Sequence, residues 1–377
     1  MLYILLGEHI HNAPGSEPQS GDHRKAHKGQ GHKGVHILAD AQGVSRFLGV
    51  FQLFIDSHMP ERLADIIMDK VPNVQWAAVC LSLFSGIISA FVDNVATVLM
   101  VAPFAIEICK KLKTNPIPFI ISIAVSSNLQ GAATLVGDTT AIMLGSALDM
   151  SFMDFFVYRG KLGMFFVVEL GAVIAALILM FLFRKEKAPI PKAEKLTEVN
   201  DYVPTVLLVG TVVLLIVASF IPNKPDVTNG LICCVLLVIG ILYRFIKTKT
   251  PSSVVAPLKA IDFETIGLLL GLFIMIGGIS AAGVIDAMAS VIAKLGGGNV
   301  FVLYTVIVWG SVLVSAFIDN IPYVATMIPV IPGIAATLNI DPTVLYFGLL
   351  SGATLGGNCT PIGASANITG IGILRKE

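Results

Sequence analysis

"SAFVDNVATVLMVAP", Ser89 to Pro103, and "SAFIDNIPYVATMIP", Ser315 to Pro329, are near copies, and each sets an Asp-Asn pair inside an apolar run. An ionised Asp at the centre of a bilayer costs at least about 2.5 kcal/mol on insertion scales, so such a pair has to be sheltered from lipid. The surrounding chain is 55% hydrophobic and 13% charged, whereas soluble domains run at about 45–50% apolar and about 25% charged. This composition marks an integral membrane protein. The runs Leu162–Phe183, Val203–Ile221, Gly230–Ile246 and Gly267–Ile285 approach the roughly 20 residues that a helix needs to cross the hydrocarbon. They are continuous rather than alternating, which indicates helices and excludes barrel strands. The expected fold is therefore an all-α polytopic membrane protein.

The two Asp-Asn pairs lie 226 positions apart, and so do Pro103 and Pro329. A second pair of matching elements follows, "ATLVGDTT" (Ala133–Thr140) and "ATLGGNCT" (Ala353–Thr360), offset by 220. Upstream, "FLGVFQLFI" (Phe47–Ile55) resembles "LLGLFIMIG" (Leu269–Gly277). Three matches in one order read as an internal repeat. Positive residues orient it: the basic segments Arg184–Lys195 and Arg244–Lys259 are separated by two spanning runs, so both belong on the cytoplasmic side and "PNKPDVTN" outside. Leu162–Phe183 then runs inward and Ile117–Leu148 outward, with Lys110, Lys111 and Lys113 cytoplasmic. The first Asp-Asn element starts from the cytoplasm and the second from outside, giving inverted-topology repeats of the kind that bind substrate and coupling ions near the midplane.

Four regions follow: a polar segment at 1–43, a first repeat at 44–183, a linker with two spanning helices at 184–262, and a second repeat at 263–377. The first repeat continues for more than 40 residues beyond Thr140, but only 17 follow Thr360, so the second repeat reads as truncated. The polar segment holds six of the seven histidines, His9, His11, His23, His27, His32 and His36. It reads as a mobile surface segment rather than a metal site, because no apolar context would fix ligand geometry. The five cysteines lack metal-ligand spacing and read as small buried hydrophobes. "MLYILLG" is too short an apolar run for a signal peptide.

Trp76–Ile108 is about 33 residues long, too long for one span, with Asp93-Asn94 near its middle. A re-entrant helical hairpin places that pair at its tip, and Phe301–Leu338 places Asp319-Asn320 likewise from the other side. Asp and Asn suit a tight turn and cap the helix that follows; backbone exposed at membrane depth has to line a polar cavity. The stretches "GAATLVGDTT" and "GATLGGNCTP" read as glycine-broken helices in which Thr134, Asp138, Thr139, Thr354, Asn358 and Thr360 offer oxygen atoms. Oxygen ligands without Cys or His favour a hard cation such as sodium, with Asp93, Asn94, Asp319 and Asn320 as its ligands. The same small residues also serve close helix packing. Glu169 reads as a scaffold partner rather than a proton carrier, and Glu107 as interfacial. Neither hairpin core nor broken helix contains Lys or Arg, so an anion would be held by helix N-termini and hydroxyls.

At "SAFVDNVAT", "GAATLVGDTTAIMLGSA", "SAFIDNIP" and "GATLGGNCTPIGASAN" the chain resembles the ion transporter superfamily. Within it, the chain resembles the family of arsenite pumps, sodium/proton antiporters and the P protein, more distantly citrate and dicarboxylate carriers. The resemblance covers roughly residues 44–377. It implies a scaffold domain and an elevator-type transport domain, often in a homodimer, with a site at Asp93, Asn94, Thr97, Asp138, Asp319, Asn320, Asn358 and Thr360. Many relatives have Pro-Pro-Asn after the first Gly-Asp; Thr139-Thr140-Ala141 here looks more like the antiporter branch.

The leading expectation is a secondary-active transporter, not an enzyme, in a bacterial or archaeal plasma membrane. It exchanges sodium for protons, with no cofactor beyond the coupling ion and no nucleic-acid partner. A cation-coupled permease for a small anion, arsenite or a citrate-like carboxylate, is the alternative. An intramembrane aspartyl protease would also bury two Asp, but Leu135 stands where Gly-x-Gly-Asp needs its first glycine, and no Tyr-Asp pair occurs.

Overall fold

The computed structural model describes residues 53–54, 56–112, 114–189, 197–221, 228–249, 263–297 and 299–375. The histidine-rich segment, most of Phe47–Ile55, Lys113 and residues 190–196, 222–227 and 250–262 lie outside the described residues. The described chain is mostly helical, with almost no sheet. In the first half these helices are α1 (Met59–Lys70), α2 (Val74–Ser89), α3 (Asn94–Leu112), α4 (Ile117–Gly131) and α5 (Thr139–Ala147). A 3-10 turn at Phe152–Phe155 and a small antiparallel hairpin, β1 (Val157–Tyr158) and β2 (Lys161–Leu162), lead into α6 (Met164–Leu182). Then come α7 (Val203–Ser219), α8 (Thr228–Thr248), α9 (Phe263–Ala281) and α10 (Val284–Leu295). The last group is α11 (Val300–Ser315), α12 (Asn320–Met327), α13 (Val330–Leu338), α14 (Thr343–Gly357) and α15 (Ser365–Leu374).

Two described helices suffice by length and composition to cross a membrane singly, α6 and the Gly230–Thr248 part of α8. On α6, Phe166, Leu170, Ile174, Leu177 and Phe181 are exposed; a helix that stays apolar on its open face is built for lipid. The 16-residue α2 and α11 rise only about 24 Å each at 1.5 Å per residue, short of the roughly 30 Å core. Each is followed within a few residues by a returning helix, α3 or α12. These are helix-turn-helix hairpins, with Asp93 and Asp319 in the turns.

The helices repeat with a constant spacing. α2 and α11 start 226 positions apart, as do α3 and α12, α4 and α14, and α5 and α15. The caps repeat too: Asn73 accepts from the backbone N–H of Trp76, and Asn299 from those of Phe301 and Val302. α3 runs through Pro103, whereas α12 and α13 bend by 41° before and after Ile328–Pro329.

This register corrects the offset of 220 for the second element. Thr134 donates to the carbonyl of Ala90 and Thr360 to that of Ala316, so Thr134 corresponds to Thr360 and the shared "ATL" letters are not structural partners. Thr354 lies inside α14, and the second break is 358–364. The counterpart of Asp138 is therefore Ala364 rather than Asn358. Local letter identity gave the wrong register because both helices end in small residues, Gly and Thr, whatever the alignment.

The loop ahead of α6 is tied to the second half of the chain. Arg159 Nη1 lies 2.8 Å from Asp341 Oδ2, and Tyr158 packs edge-on against Phe347 at 5.8 Å. Hydrogen bonds from Thr343, with Arg159 beside it, hold the Asp341 carboxyl below its ordinary range. That contribution is present above the unfolded carboxylate value of about 4 and is lost as pH falls through the lower folded value. Because both side chains are exposed, Asp341→Asn is expected to cost less than about 1 kcal/mol in a thermal melt at neutral pH.

Candidate functional site

Each of the three acidic side chains sits at a helix start, where unpaired N–H groups favour a carboxylate. Asp93 Oδ2 accepts from the N–H groups of Val95 and Ala96 at 2.9 and 3.1 Å, opening α3. Asp319 Oδ1 accepts from Ile321 N at 3.0 Å, opening α12, and its Oδ2 takes the Ser365 hydroxyl at 2.7 Å. Asp138 opens α5, accepting from Thr140 N at 3.4 Å and the Thr140 hydroxyl at 2.8 Å.

Asp138 is the centre. Only 6% of it is exposed, and Asn320 of the other repeat donates to its Oδ2 at 3.4 Å. The carboxylates of Asp93 and Asp319 lie near enough for their charges to act on it, and Asp138 forms no salt bridge among the described residues. Asp138 thus takes an amide from the second hairpin and feels negative charge from the turns of both.

Backbone oxygens gather beside it. The chain packs so closely at Gly137 that a methyl group there would run into the Gly131 carbonyl and lie 2.7 and 2.8 Å from those of Ser89 and Ala90. At Gly131 a methyl group would meet Asn94 Oδ1 and lie 3.4 Å from Asp138 Cβ. Asn94 is buried and accepts from the Ser89 hydroxyl at 2.9 Å, while Ser127 donates to Ser89 Oγ and to the Asn94 carbonyl. The second repeat copies the glycine cradle: at Gly363 the carbonyls of Gly357, Ser315 and Ala316 lie 2.8, 2.9 and 3.1 Å from the same position.

A second cluster is made of amides. Asn128 Nδ2 donates to Asn358 Oδ1 at 2.9 Å and to Asn367 Oδ1 at 3.0 Å, joining α4 to the second break. Asn367 in turn donates to the carbonyls of Gly357 and Thr360. Asn358, Thr360 and Asn367 line a cavity of about 250 Å³ with Cys359 and the apolar faces of α4 and α15.

Not every predicted oxygen points at these clusters. The Thr97 hydroxyl bonds the Asp93 carbonyl at 3.0 Å, and the Thr134 and Thr360 hydroxyls bond the hairpin-turn carbonyls. They fix the turns rather than face a ligand. Thr139 is half-buried beside Asp138, and the buried Thr354 hydroxyl has no partner. Sequence reading missed Asn128, Asn367, Ser127 and Ser365, whose partners include residues far away along the chain, and Thr140 and Ser89, whose bonds to the nearby Asp138 and Asn94 depend on how the turns fold. Removing the Thr134 hydroxyl strands a buried carbonyl, so Thr134→Val is expected to lower stability by about 1–3 kcal/mol, read as a fall in melting temperature.

With the geometry in place, comparison with known proteins agrees with the family read from the four motifs. The profile of the family described as citrate transporter matches residues 48–352. An uncharacterized transporter of Mycobacterium tuberculosis is 33% identical over 307 residues, covering 79% of this chain and 69% of the relative. One from Synechocystis is 27% identical over 315 residues, covering 77% and 68%. The human P protein is 27% identical over 382 residues, covering 80% of this chain but 45% of its own length. A match over most of the chain, on a helical membrane fold with paired hairpins and helix breaks, places this chain in the citrate transporter family of membrane transporters.

Proposed function

We propose that this transporter exchanges sodium for protons at Asp138. The observation that carries the reading is a buried carboxylate with no salt bridge among the described residues, hydrogen-bonded by the Asn320 amide of the opposite repeat and under the charge of Asp93 and Asp319. Such a group cannot stay charged and alone away from water; it takes up a proton or a cation. A proton on Asp138 and a sodium ion beside it are therefore competitors for one charge. Asn94 Oδ1, Asp138 and the carbonyls over Gly137 supply the hard oxygen donors that sodium prefers. All three carboxylates cap a helix, but Asp93 and Asp319 are half-buried and Asp138 is buried, which makes Asp138 the group that changes charge.

The transport frame in this reading has residues 44–183 and 263–377 as two oppositely inserted halves around the linker 184–262. The hairpins and broken helices move together against α6 as a scaffold, in a homodimer. Its test is a sodium gradient across proteoliposomes: sodium-driven proton movement without added anion supports exchange, and movement only with added citrate or arsenite overturns it.

A second reading has its own observation. The amide cluster Asn128–Asn358–Asn367 borders a cavity free of acidic side chains, which suits a small anion better than the Asp138 centre does. On that reading sodium at Asp138 drives entry of a small carboxylate or oxyanion.

A further inference from the structure

The two halves of the chain share a register but not the chemistry of their central seam. Between α11 and α14 the seam is closed by Gly348, Gly352 and Gly356. A methyl group on Gly352 would meet the Val308 carbonyl, and one on Gly356 would lie 2.9 Å from Ser315 Cβ. Backbone lies against backbone and the β-carbon of Ser315 there. The equivalent α4 positions, 226 residues earlier, are Ser122, Ser126 and Gln130, and α2 opposite them carries Ser82, Ser85 and Ser89.

This first seam is buried, polar and incompletely bonded. Gln130 is 1% exposed, packs its amide over Gly86 and donates to Ser126 Oγ at 3.4 Å, yet its Oε1 has no protein partner. The Ser82 hydroxyl, equally buried, has none either. Buried polar atoms in native proteins are satisfied by protein or by ordered water. An open cavity lies alongside: Ser122 and Ser126 line about 600 Å³ between α4 and α6, otherwise apolar, that reaches the charged Glu186 on the surface. At the far end Gln130 precedes Gly131, over which Asn94 and Asp138 sit.

We infer that the α2–α4 seam is a hydrated proton path, running from the cavity at Glu186 past Ser126 and Gln130 to Asp138, with no counterpart in the glycine-packed α11–α14 seam. Gln130 is a positioning residue: its amide holds the water that connects cavity and carboxylate, and it does not itself titrate. Asp93 and Asp319 are the titratable groups that act on Asp138, Glu169 stands half-buried on α6, and Glu186 marks the mouth. The proton role rests on the exchange reading above; the water does not.

The test uses the full chain in proteoliposomes, with the five native cysteines replaced and Ser126→Cys introduced, treated with a small charged thiol reagent. Ser126→Cys is expected to be modified and Ser311→Cys, on the glycine seam, to stay unmodified, because only a hydrated thiol ionises and reacts. Modified Ser126→Cys and the separate variant Gln130→Leu are each expected to slow sodium-driven proton flux at least about tenfold, as loss of a buried hydrogen-bonding group does. Sodium-dependent thermal stabilisation is expected to persist in both. An unreactive Ser126→Cys in the bilayer, as a lipid-filled crevice would give, equal reactivity at Ser311→Cys, or full flux in Gln130→Leu would overturn the path. No sodium-driven flux in the parent protein would overturn the exchange reading and the proton role, while the labelling still reads whether water occupies the seam.

Discussion

Proteoliposomes carrying Asp138→Asn are expected to show no sodium-driven proton movement, a loss of at least about a hundredfold. Removing one charge from a desolvated pair costs about 3–5 kcal/mol, and every 1.4 kcal/mol is a factor of ten. Asn keeps the size and an acceptor for the Thr140 donors, so the helix start is preserved and the loss is one of charge. Glu169→Gln is the comparison. Glu169 stands half-buried in the second turn of the regular helix α6, outside the convergence of the hairpins, and its replacement is expected to leave most of the flux. The reverse order of effects would assign the proton to Glu169.

Gly137→Ala is expected to be nearly as damaging, for a different reason. Its added methyl group would be forced against three backbone carbonyls, those of Gly131, Ser89 and Ala90. Overpacking ordinarily costs about 1–3 kcal/mol because side chains can turn away; carbonyls fixed in a helix end and a hairpin turn cannot. The hairpin turn therefore shifts from the break, and both melting temperature and sodium-driven flux are expected to fall sharply. Gly210→Ala on α7 controls for the substitution itself. A methyl group there meets nothing within 4 Å, and exchanging a helical glycine for alanine favours the helix by about 1 kcal/mol. Equal behaviour of the two variants would remove the carbonyl cradle from the account.

The helices and their caps were legible because they rest on local chemistry. Long apolar runs read as α6, α7 and α8, and an Asp-Asn pair inside an apolar run read as the turn into α3 and α12. Thr97 was legible in principle as well: a hydroxyl four residues after Asp93 finds the carbonyl one helical turn back. What could not be read was non-local. Asn128 sits in "SSNLQG" like any polar residue near a helix end, and its partners Asn358 and Asn367 are more than two hundred residues away. The register of the second break failed for a related reason. Its two members are matched by where Thr134 and Thr360 meet the hairpin turns, not by the letters around them. The contrast between a serine-glutamine seam and a glycine seam became visible only once that register was known.

The measurement that bears most directly on the Asp138 centre is the melting temperature of the purified protein as sodium is raised at constant ionic strength. A ligand that binds only the folded state adds RT ln(1 + [L]/Kd), about 2.7 kcal/mol at a hundred times Kd. The melting temperature is predicted to rise with sodium, not with choline, to rise less as pH is lowered and protons compete, and to stay flat in Asp138→Asn. A sodium response that is absent from the parent protein, or that survives unchanged in Asp138→Asn, would contradict the account.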